Sequence, residues 1–209
     1  MSIGFVIGNG TSRLGFDLDW LRGKGVTIGC NFIYRDFTSD YLVAVDIAMI
    51  DKINAYRETN EMSSKFLSRR MVHGERWGMK LLCDGEEIYE LKYLNGGLIN
   101  NSGILATAFL AEILKIDTIY MLGIDFFRRT PEGVNDIYSG EIGYSSNLIP
   151  SWNMLPERNR KTDFIRVGPI LPSDEDFYMT KLYGFSLIES FDEFKFHVKQ
   201  NVNKQLCQM

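Results

Sequence analysis

Long apolar runs are missing from this 209-residue sequence, and none approaches the roughly 20 residues of a membrane-spanning helix. The first residues also lack the basic segment and the cleavage site of a signal peptide. Cysteine is scarce. The spacing of Cys30, Cys83 and Cys207 fits neither disulfide pairs nor a metal site. We therefore expect a cytoplasmic protein with reduced thiols and no membrane span.

An excess of positive charge is missing as well. The net charge of -4 and the pI near 5.3 argue against broad, salt-driven binding to nucleic acid or to anionic membranes. Internal repeats and low-complexity tracts are also lacking, whereas 45% of the residues are hydrophobic, as is typical of a packed globular protein. The chain length suits one α/β domain over residues 1–209, with room for a small lid.

The most distinctive stretch present is Gly8-Asn9-Gly10, which follows an apolar run over residues 3–7. This order predicts a strand, a tight turn and a helix. Glycines at positions 8 and 10 let the backbone approach a ligand, and amides at the following helix start can face a phosphate. The stretch lacks the third glycine of a dinucleotide fingerprint and the lysine of a P-loop, so a simple tight turn is the alternative interpretation.

Polar side chains end two of the predicted buried strands, Asn31 in the strand over residues 26–31 and Asp46 in the strand over residues 41–46. Because ligands of open parallel sheets bind beyond the carboxyl ends of the strands, Asn9, Asn31 and Asp46 are expected to converge. Capping of the next helix or turn is the alternative role for Asn31 and Asp46.

Together with the remaining pattern, these segments predict an α/β fold. Its expected architecture is a Rossmann-like, mostly parallel sheet with helices on both faces. A buried helix over 104–114 is capped by Asn101 or Ser102, and Gly103 permits close approach of a ligand. The other predicted elements are helices 16–21, 47–56 and 192–205, and strands 65–70, 87–93, 118–122 and 162–167. In the last helix, Phe194, Phe196, Val198 and Val202 are expected to face the core in part. Residues 128–160, rich in Gly, Pro, Asn, Ser and aromatics, predict a polar-aromatic lid.

Four segments together resemble the bacterial family 42 sialyltransferases. They are Gly8-Asn9-Gly10-Thr11-Ser12, Cys30-Asn31-Phe32, Asn101-Ser102-Gly103 and the run from Ile119 to Phe127. The segments are also similar to a wider Rossmann-type group that includes archaeal 6-hydroxymethylpterin diphosphokinases and short phage-encoded proteins of unassigned role. The resemblance covers motifs within about the first 145 residues, and it is most specific over residues 101–127.

The resemblance implies a nucleotide-sugar site. It places Gly8, Asn9 and Gly10 beside the donor phosphate, Asn31 near the ribose or phosphate, and Asp125 at the base end of the pocket. Asn101, Ser102 and Gly103 would surround the nucleotide, and Tyr138 and Tyr144 in the lid would contact the donor phosphate. The family's histidine general base has no counterpart, because His73 and His197 stand elsewhere in the sequence. Asp46 is therefore the first candidate base and Glu141 the second.

The function expected from these residues is a metal-independent, nucleotide-sugar-dependent glycosyltransferase with a carboxylate base and no cofactor. The acceptor, a glycan, a small molecule or a modified nucleic acid, is left open, and assembly into a homo-oligomer is compatible with the fold. The acidic pairs at Asp17 and Asp19 and at Asp174 and Asp176 are more typical of caps and turns than of a metal site.

Two alternatives remain at this point. One is an ATP-dependent diphosphotransferase of the pterin type, which would use Asp46 and Asp125 as Mg²⁺ ligands. The other is a non-catalytic nucleotide-binding phage protein, acting in the host cytoplasm. For a phage protein, Arg158, Arg160, Lys161 and Arg166 form a candidate polyanion-binding patch, with a solvated surface as the alternative interpretation.

Overall fold

The computed structural model describes residues 1–71, 79–90, 101–125, 129–130, 133–134, 149–169 and 183–206. Of the predicted site residues, Tyr138, Glu141 and Tyr144 lie outside this part of the chain, as do His73 and the acidic pair at 174 and 176.

The described part of the chain contains strands, α-helices and 3-10 turns. The strands are β1 (Ile3–Ile7), β2 (Val26–Cys30), β3 (Tyr41–Ala44), β4 (Lys65–Met71), β5 (Met79–Cys83), β6 (Glu86–Glu90), β7 (Thr118–Leu122), β8 (Arg129–Thr130), β9 (Gly133–Val134), β10 (Asp163–Val167) and β11 (Phe185–Ile188). The α-helices are α1 (Ile47–Thr59), α2 (Ser102–Ala108), α3 (Ile149–Arg158) and α4 (Phe191–Leu206). Single 3-10 turns occupy Thr11–Arg13, Leu18–Leu21 and Asn31–Arg35, and α2 runs into a π-helical turn at Phe109–Ile113.

Nine strands form one sheet in the order β11-β10-β7-β1-β2-β3-β4-β5-β6. All neighbours are parallel except β4 with β5 and β5 with β6. From β1 the chain moves outward through β2, β3 and β4, and then returns to the other side of β1 with β7, β10 and β11. The direction of winding therefore reverses between β1 and β7, which is the switch point where ligands of doubly wound sheets bind.

Both faces of the sheet are covered by packed side chains, which explains why its central strands are almost continuously apolar. On one face, Val6 and Met121 pack with α2 and with Trp152 of α3. On the other face, Phe5 and Tyr120 pack with α4 and with the 3-10 turns. Helix α1 covers β3 and β4 on a third apolar cluster. The predicted fold class, a mostly parallel α/β sheet with helices on both faces, is confirmed.

Most of the predicted elements are present, with shifted ends. The second strand stops at Cys30, because Asn31 has a φ of 53° and starts a 3-10 turn. The first α-helix extends to Thr59, and the helix predicted over 104–114 begins at Ser102, with the Asn101 side chain accepting a hydrogen bond from the Ile104 amide at 3.1 Å. Asp17 caps its 3-10 turn as expected, accepting from the Asp19 amide.

Two predictions need correction. In the last helix, Phe194 and Val198 are buried, but Phe196 is 63% exposed and does not face the core. The end of the predicted lid is also different, because Ile149–Arg158 forms α3, whose Trp152 and Leu155 are buried in the core beside α2. A packed core helix cannot swing over a ligand independently, so residues 149–158 do not form part of a lid. Among the described helices, none is long and apolar enough to cross a bilayer.

Candidate functional site at the carboxyl edge of the sheet

The loops that follow β1 and β7 are fastened to each other at the switch point. The Gly8 amide donates to the Leu122 carbonyl and the Gly10 amide to the Gly123 carbonyl, both at 2.8 Å. A Cβ atom on Gly8 would overlap the Gly123 carbonyl oxygen, and one on Gly10 would overlap the Asp125 carboxylate. Close contact between the two loops is therefore what requires glycine here, and the amides of Gly8 and Gly10 are engaged within the protein.

Asn9 is the member of this stretch with an unused polar atom. Its Oδ1 is buried and has no hydrogen-bond partner among the described residues. A buried polar atom without a partner costs about 1–3 kcal/mol relative to a hydrogen-bonded one. A hydroxyl or amide group of a ligand would supply the missing donor.

Asn31 and Ser102, 71 residues apart in the sequence, are in direct contact. The Ser102 hydroxyl donates to Asn31 Oδ1 at 2.8 Å, joining the exit of β2 to the first residue of α2. Ser102 is 4% exposed, and Asn31 adopts the left-handed backbone conformation that asparagine tolerates better than most residues. The serine fixes the orientation of the carboxamide, and in the described chain the Asn31 Nδ2 group has no hydrogen-bond partner.

The neighbours of Ser102 have structural roles. Asn101 caps α2, and a Cβ atom on Gly103 would lie only 3.0 Å from Asn101 Oδ1 and from Ile124 Cδ1. Gly103 is therefore needed for packing of the helix start against the loop after β7. Within the motif 101–103, the side chain that meets another predicted site residue is Ser102.

Asp125 holds the two loops together from the β7 side. Its carboxylate accepts from the Ser12 hydroxyl and, at 3.2 Å, from the Ser12 amide. Arg166 of β10 lies 3.7 Å away, and both side chains are almost fully buried. These contacts account for the carboxylate without a ligand, so Asp125 acts here as a bridge between loops.

The same geometry corrects the predicted basic patch. Arg166 is 3% exposed and donates to the carbonyls of Gly168 and Pro169, at 3.1 and 3.3 Å. Arg158, Arg160 and Lys161 are exposed, but Arg166 does not share their surface.

Sequence reasoning missed the second buried arginine of the site. Arg13 is 5% exposed, donates to the Gly8 carbonyl at 2.9 Å and forms an ion pair with Asp36 at 3.0 Å. It fixes the β1 loop to the segment after β2. Its position beside Gly10 was the available signal, but no spacing rule identifies Asp36 as its partner.

Asp46 is placed differently from the other carboxylates of this edge. It is exposed, stands between β3 and α1, and its side chain accepts no capping hydrogen bond from the first turn of α1. Asp36 and Asp125 are both committed to arginines. Of these three carboxylates, Asp46 is thus the one that remains available to a substrate.

The diphosphotransferase alternative would use Asp46 and Asp125 as Mg²⁺ ligands, but these two residues do not fit a shared Mg²⁺ ion. The oxygens of Asp125 already accept from Ser12, and a cation bound there would lie beside the Arg166 guanidinium. Over the described ranges, no three His, Cys, Asp or Glu residues are grouped so as to hold a metal ion.

Two further groups near the sheet are unsuited to catalysis at this edge. Burial raises the pKa of the Cys30 thiol to about 12, so it stays protonated and poorly nucleophilic at neutral pH. His197 of α4 lies against the middle of β7, where its Nδ1 is 2.8 Å from the Tyr120 hydroxyl. His197 therefore does not take the place of the histidine general base of the resembling family.

Comparison with known proteins identifies no family for this chain. No protein-family model and no curated protein matches this sequence. Among solved structures, the crystal structure of a protein from Lactobacillus plantarum is similar at 14% identity with a TM-score of 0.32. The match covers 61% of this chain and 47% of the other, so this chain spans about half the length of that neighbour.

Proposed function

We propose that the protein binds a nucleotide sugar at the carboxyl edge of the sheet and transfers the sugar to a hydroxyl acceptor. The observation that carries the proposal is the contact between Asn31 and Ser102, made at 2.8 Å by residues 71 positions apart in the sequence. The contact lies where doubly wound sheets bind their ligands. The resemblance to nucleotide-sugar enzymes rests on these same residues.

The polar atoms left over at this edge are of complementary kinds. Asn31 offers the donor Nδ2 and Asn9 the acceptor Oδ1, both neutral and neither with a hydrogen-bond partner among the described residues. A ribose or sugar ring presents hydroxyls that donate and accept at once. The two asparagines therefore suit the hydroxyl-rich part of a nucleotide sugar.

In the proposed reaction, the acceptor oxygen forms a bond to the anomeric carbon while the bond from that carbon to the donor phosphate breaks. The bonding electron pair leaves with the phosphate, and the acceptor proton passes to the Asp46 carboxylate. Asp46 supports this role because it is exposed and not engaged in capping α1. Stabilisation of the leaving phosphate is assigned by the resemblance to Tyr138 and Tyr144.

The binding step is tested first, by a thermal-shift screen against CMP, UDP, GDP, ADP and ATP, each with and without Mg²⁺. We expect a pyrimidine nucleotide to raise the melting temperature without metal, and Asn31→Ala or Ser102→Ala to reduce that shift. The control is Ser39→Ala, a buried serine that precedes β3 and donates to the Tyr41 carbonyl. Loss of stability with an unchanged nucleotide shift in the Ser102 variant would contradict the site.

The catalytic step is tested with Asp46→Asn. Loss of a general base is expected to lower turnover by about 100-fold or more while the nucleotide-induced shift is kept. Asp51→Asn, on the exposed surface of α1, serves as the control. Equal turnover in the Asp46 variant removes this residue as the base, and binding without turnover of any donor supports the non-catalytic alternative.

A further inference from the structure

Two cationic side chains from different elements approach one aromatic ring at the carboxyl edge. The Arg35 guanidinium carbon lies 4.3 Å from the centre of the Phe32 ring, and Lys52 Nζ lies 5.6 Å from the same point. Arg35 ends the 3-10 turn that follows β2, whereas Lys52 belongs to α1. Both cations are exposed, and the Phe32 ring that they approach is 8% exposed.

Neither cation has an acidic partner in the described part of the chain. The carboxylate next to Arg35 in sequence, Asp36, is committed to Arg13. Asp46 and Asp51, on the segment that carries Lys52, form no ion pair with either cation. Contact with an aromatic ring stabilises an exposed cation only modestly, and it does not neutralise the repulsion between two positive charges.

The position of the two cations relates them to the proposed site. Phe32 directly follows Asn31, whose carboxamide is held by Ser102, and α1 directly follows Asp46. Arg35 is thus four residues after Asn31, which we assign to donor binding, and Lys52 is six residues after Asp46, which we assign to proton removal. Because the whole chain carries a net charge of -4, attraction of an anion to this edge depends on local positive groups.

We propose that Arg35 and Lys52 form an oxyanion subsite beside Phe32, which receives a phosphate or carboxylate group of a ligand at the carboxyl edge. A guanidinium binds two oxygens of such a group at once, and an ammonium adds a compact charge. The oxyanion belongs either to the nucleotide or to a second molecule, such as an anionic acceptor. The identity of the ligand rests on the proposed function, whereas the subsite rests on the cation pair alone.

The test measures pyrophosphate binding by calorimetry, first to the protein alone and then with saturating CMP. The double variant Arg35→Gln/Lys52→Gln is expected to weaken pyrophosphate binding by about tenfold, since it removes two charge-assisted contacts. The charge-retaining variant Arg35→Lys/Lys52→Arg should keep most of the affinity. A matched control is Arg22→Gln/Lys24→Gln, which removes two cations lying 4.8 Å from the Phe37 ring and 4.3 Å from the Trp20 ring, before the start of β2.

The outcomes separate the two sources of the oxyanion. Pyrophosphate binding that persists with CMP and weakens only in the Arg35/Lys52 variant supports the subsite and assigns it to a second molecule. Alternatively, CMP competes with pyrophosphate, and the Arg35/Lys52 variant binds CMP more weakly but cytidine with unchanged affinity. This result supports the subsite and assigns it to the nucleotide phosphate. Equal affinities in the two double variants, or no pyrophosphate binding to the wild type, would overturn the subsite. If CMP and the other nucleotides do not bind, the proposed function fails. Pyrophosphate binding to the protein alone then still tests whether Arg35 and Lys52 bind an oxyanion.

Discussion

Tyr120 is a buried phenol near the middle of the sheet, with two hydrogen-bond partners on α4. Asn201 Nδ2 donates to its hydroxyl at 2.9 Å, and His197 Nδ1 lies 2.8 Å from the same oxygen. Burial raises the pKa of Tyr120 to about 12, although the hydrogen bond from Asn201 partly opposes the shift. The neutral phenol therefore fastens α4 to β7.

We predict that this residue makes the protein sensitive to alkali. A tyrosine in an unfolded chain has a pKa of about 10, so between that pH and about 12 the unfolded state loses a proton that the folded state keeps. The contribution of Tyr120 is fully present below pH 10 and is lost as pH rises through this interval. Urea unfolding measured across the interval should give a falling free energy of unfolding.

Tyr120→Phe provides the comparison. The variant should be less stable at neutral pH by about 1–3 kcal/mol, because Asn201 and His197 lose their partner. Its stability should also fall less steeply above pH 10. Tyr183→Phe, at a residue that is 67% exposed, should follow the wild-type curve. An alkaline limb of unchanged slope in the Tyr120 variant would show that another group titrates.

At the level of elements, the contact between the β1 loop and the β7 loop requires the smallest side chain. Gly10→Ala should lower the free energy of unfolding by about 2–3 kcal/mol, because the added methyl group overlaps the Asp125 carboxylate and the Gly123 carbonyl. The measurement is chemical denaturation followed by circular dichroism.

Gly15→Ala is the control for this prediction. Gly15 has a φ of 85° and open space where a Cβ would stand, so alanine meets backbone strain of about 1 kcal/mol but no overlap. If Gly10→Ala is no more destabilising than Gly15→Ala, the close contact between the loops is not what requires glycine.

Elements whose signals are local in sequence were predictable. The apolar runs predicted β1 and β7 with their observed bounds, and of the two expected caps, Asn101 and Ser102, Asn101 caps the helix. The error at Phe196 has a geometric reason. Two residues on from the buried Phe194, an α-helix has turned by about 200°, so Phe196 points away from the sheet.

The site was predictable only in part, because its contacts join distant segments. Asn31 and Ser102 were both proposed as ligand residues, and they do meet. The bond from Ser12 to Asp125 spans 113 residues, and nothing near either residue in the sequence indicates the other. Burial of Arg166 also escaped prediction, since its position after Arg158 and Arg160 suggested a charged surface.

For the whole molecule, the order of strands predicts how stability is distributed. β1, β2 and β7 lie at the centre of the sheet with packed side chains on both faces, whereas β5 and β6 form its far antiparallel end. Native-state hydrogen exchange should therefore be slowest for the amides of β1 and β7, which open only with global unfolding. The amides of β6 should exchange faster by orders of magnitude. Similar protection in β6 and β1 would contradict this distribution.

The position of β1 between β2 and β7 also matters for synthesis of the protein. Phe5 pairs with Thr27 on one side and with Tyr120 on the other, so the second neighbour leaves the ribosome about a hundred residues after the first. Until then, one edge of an apolar strand has no partner, and such edges are where nascent chains associate wrongly. The loop from Gly8 to Arg13 likewise cannot make its contacts with Leu122, Gly123 and Asp125 until translation has passed them. The amino-terminal half of the site is thus translated first but is completed only when the second half of the sheet arrives.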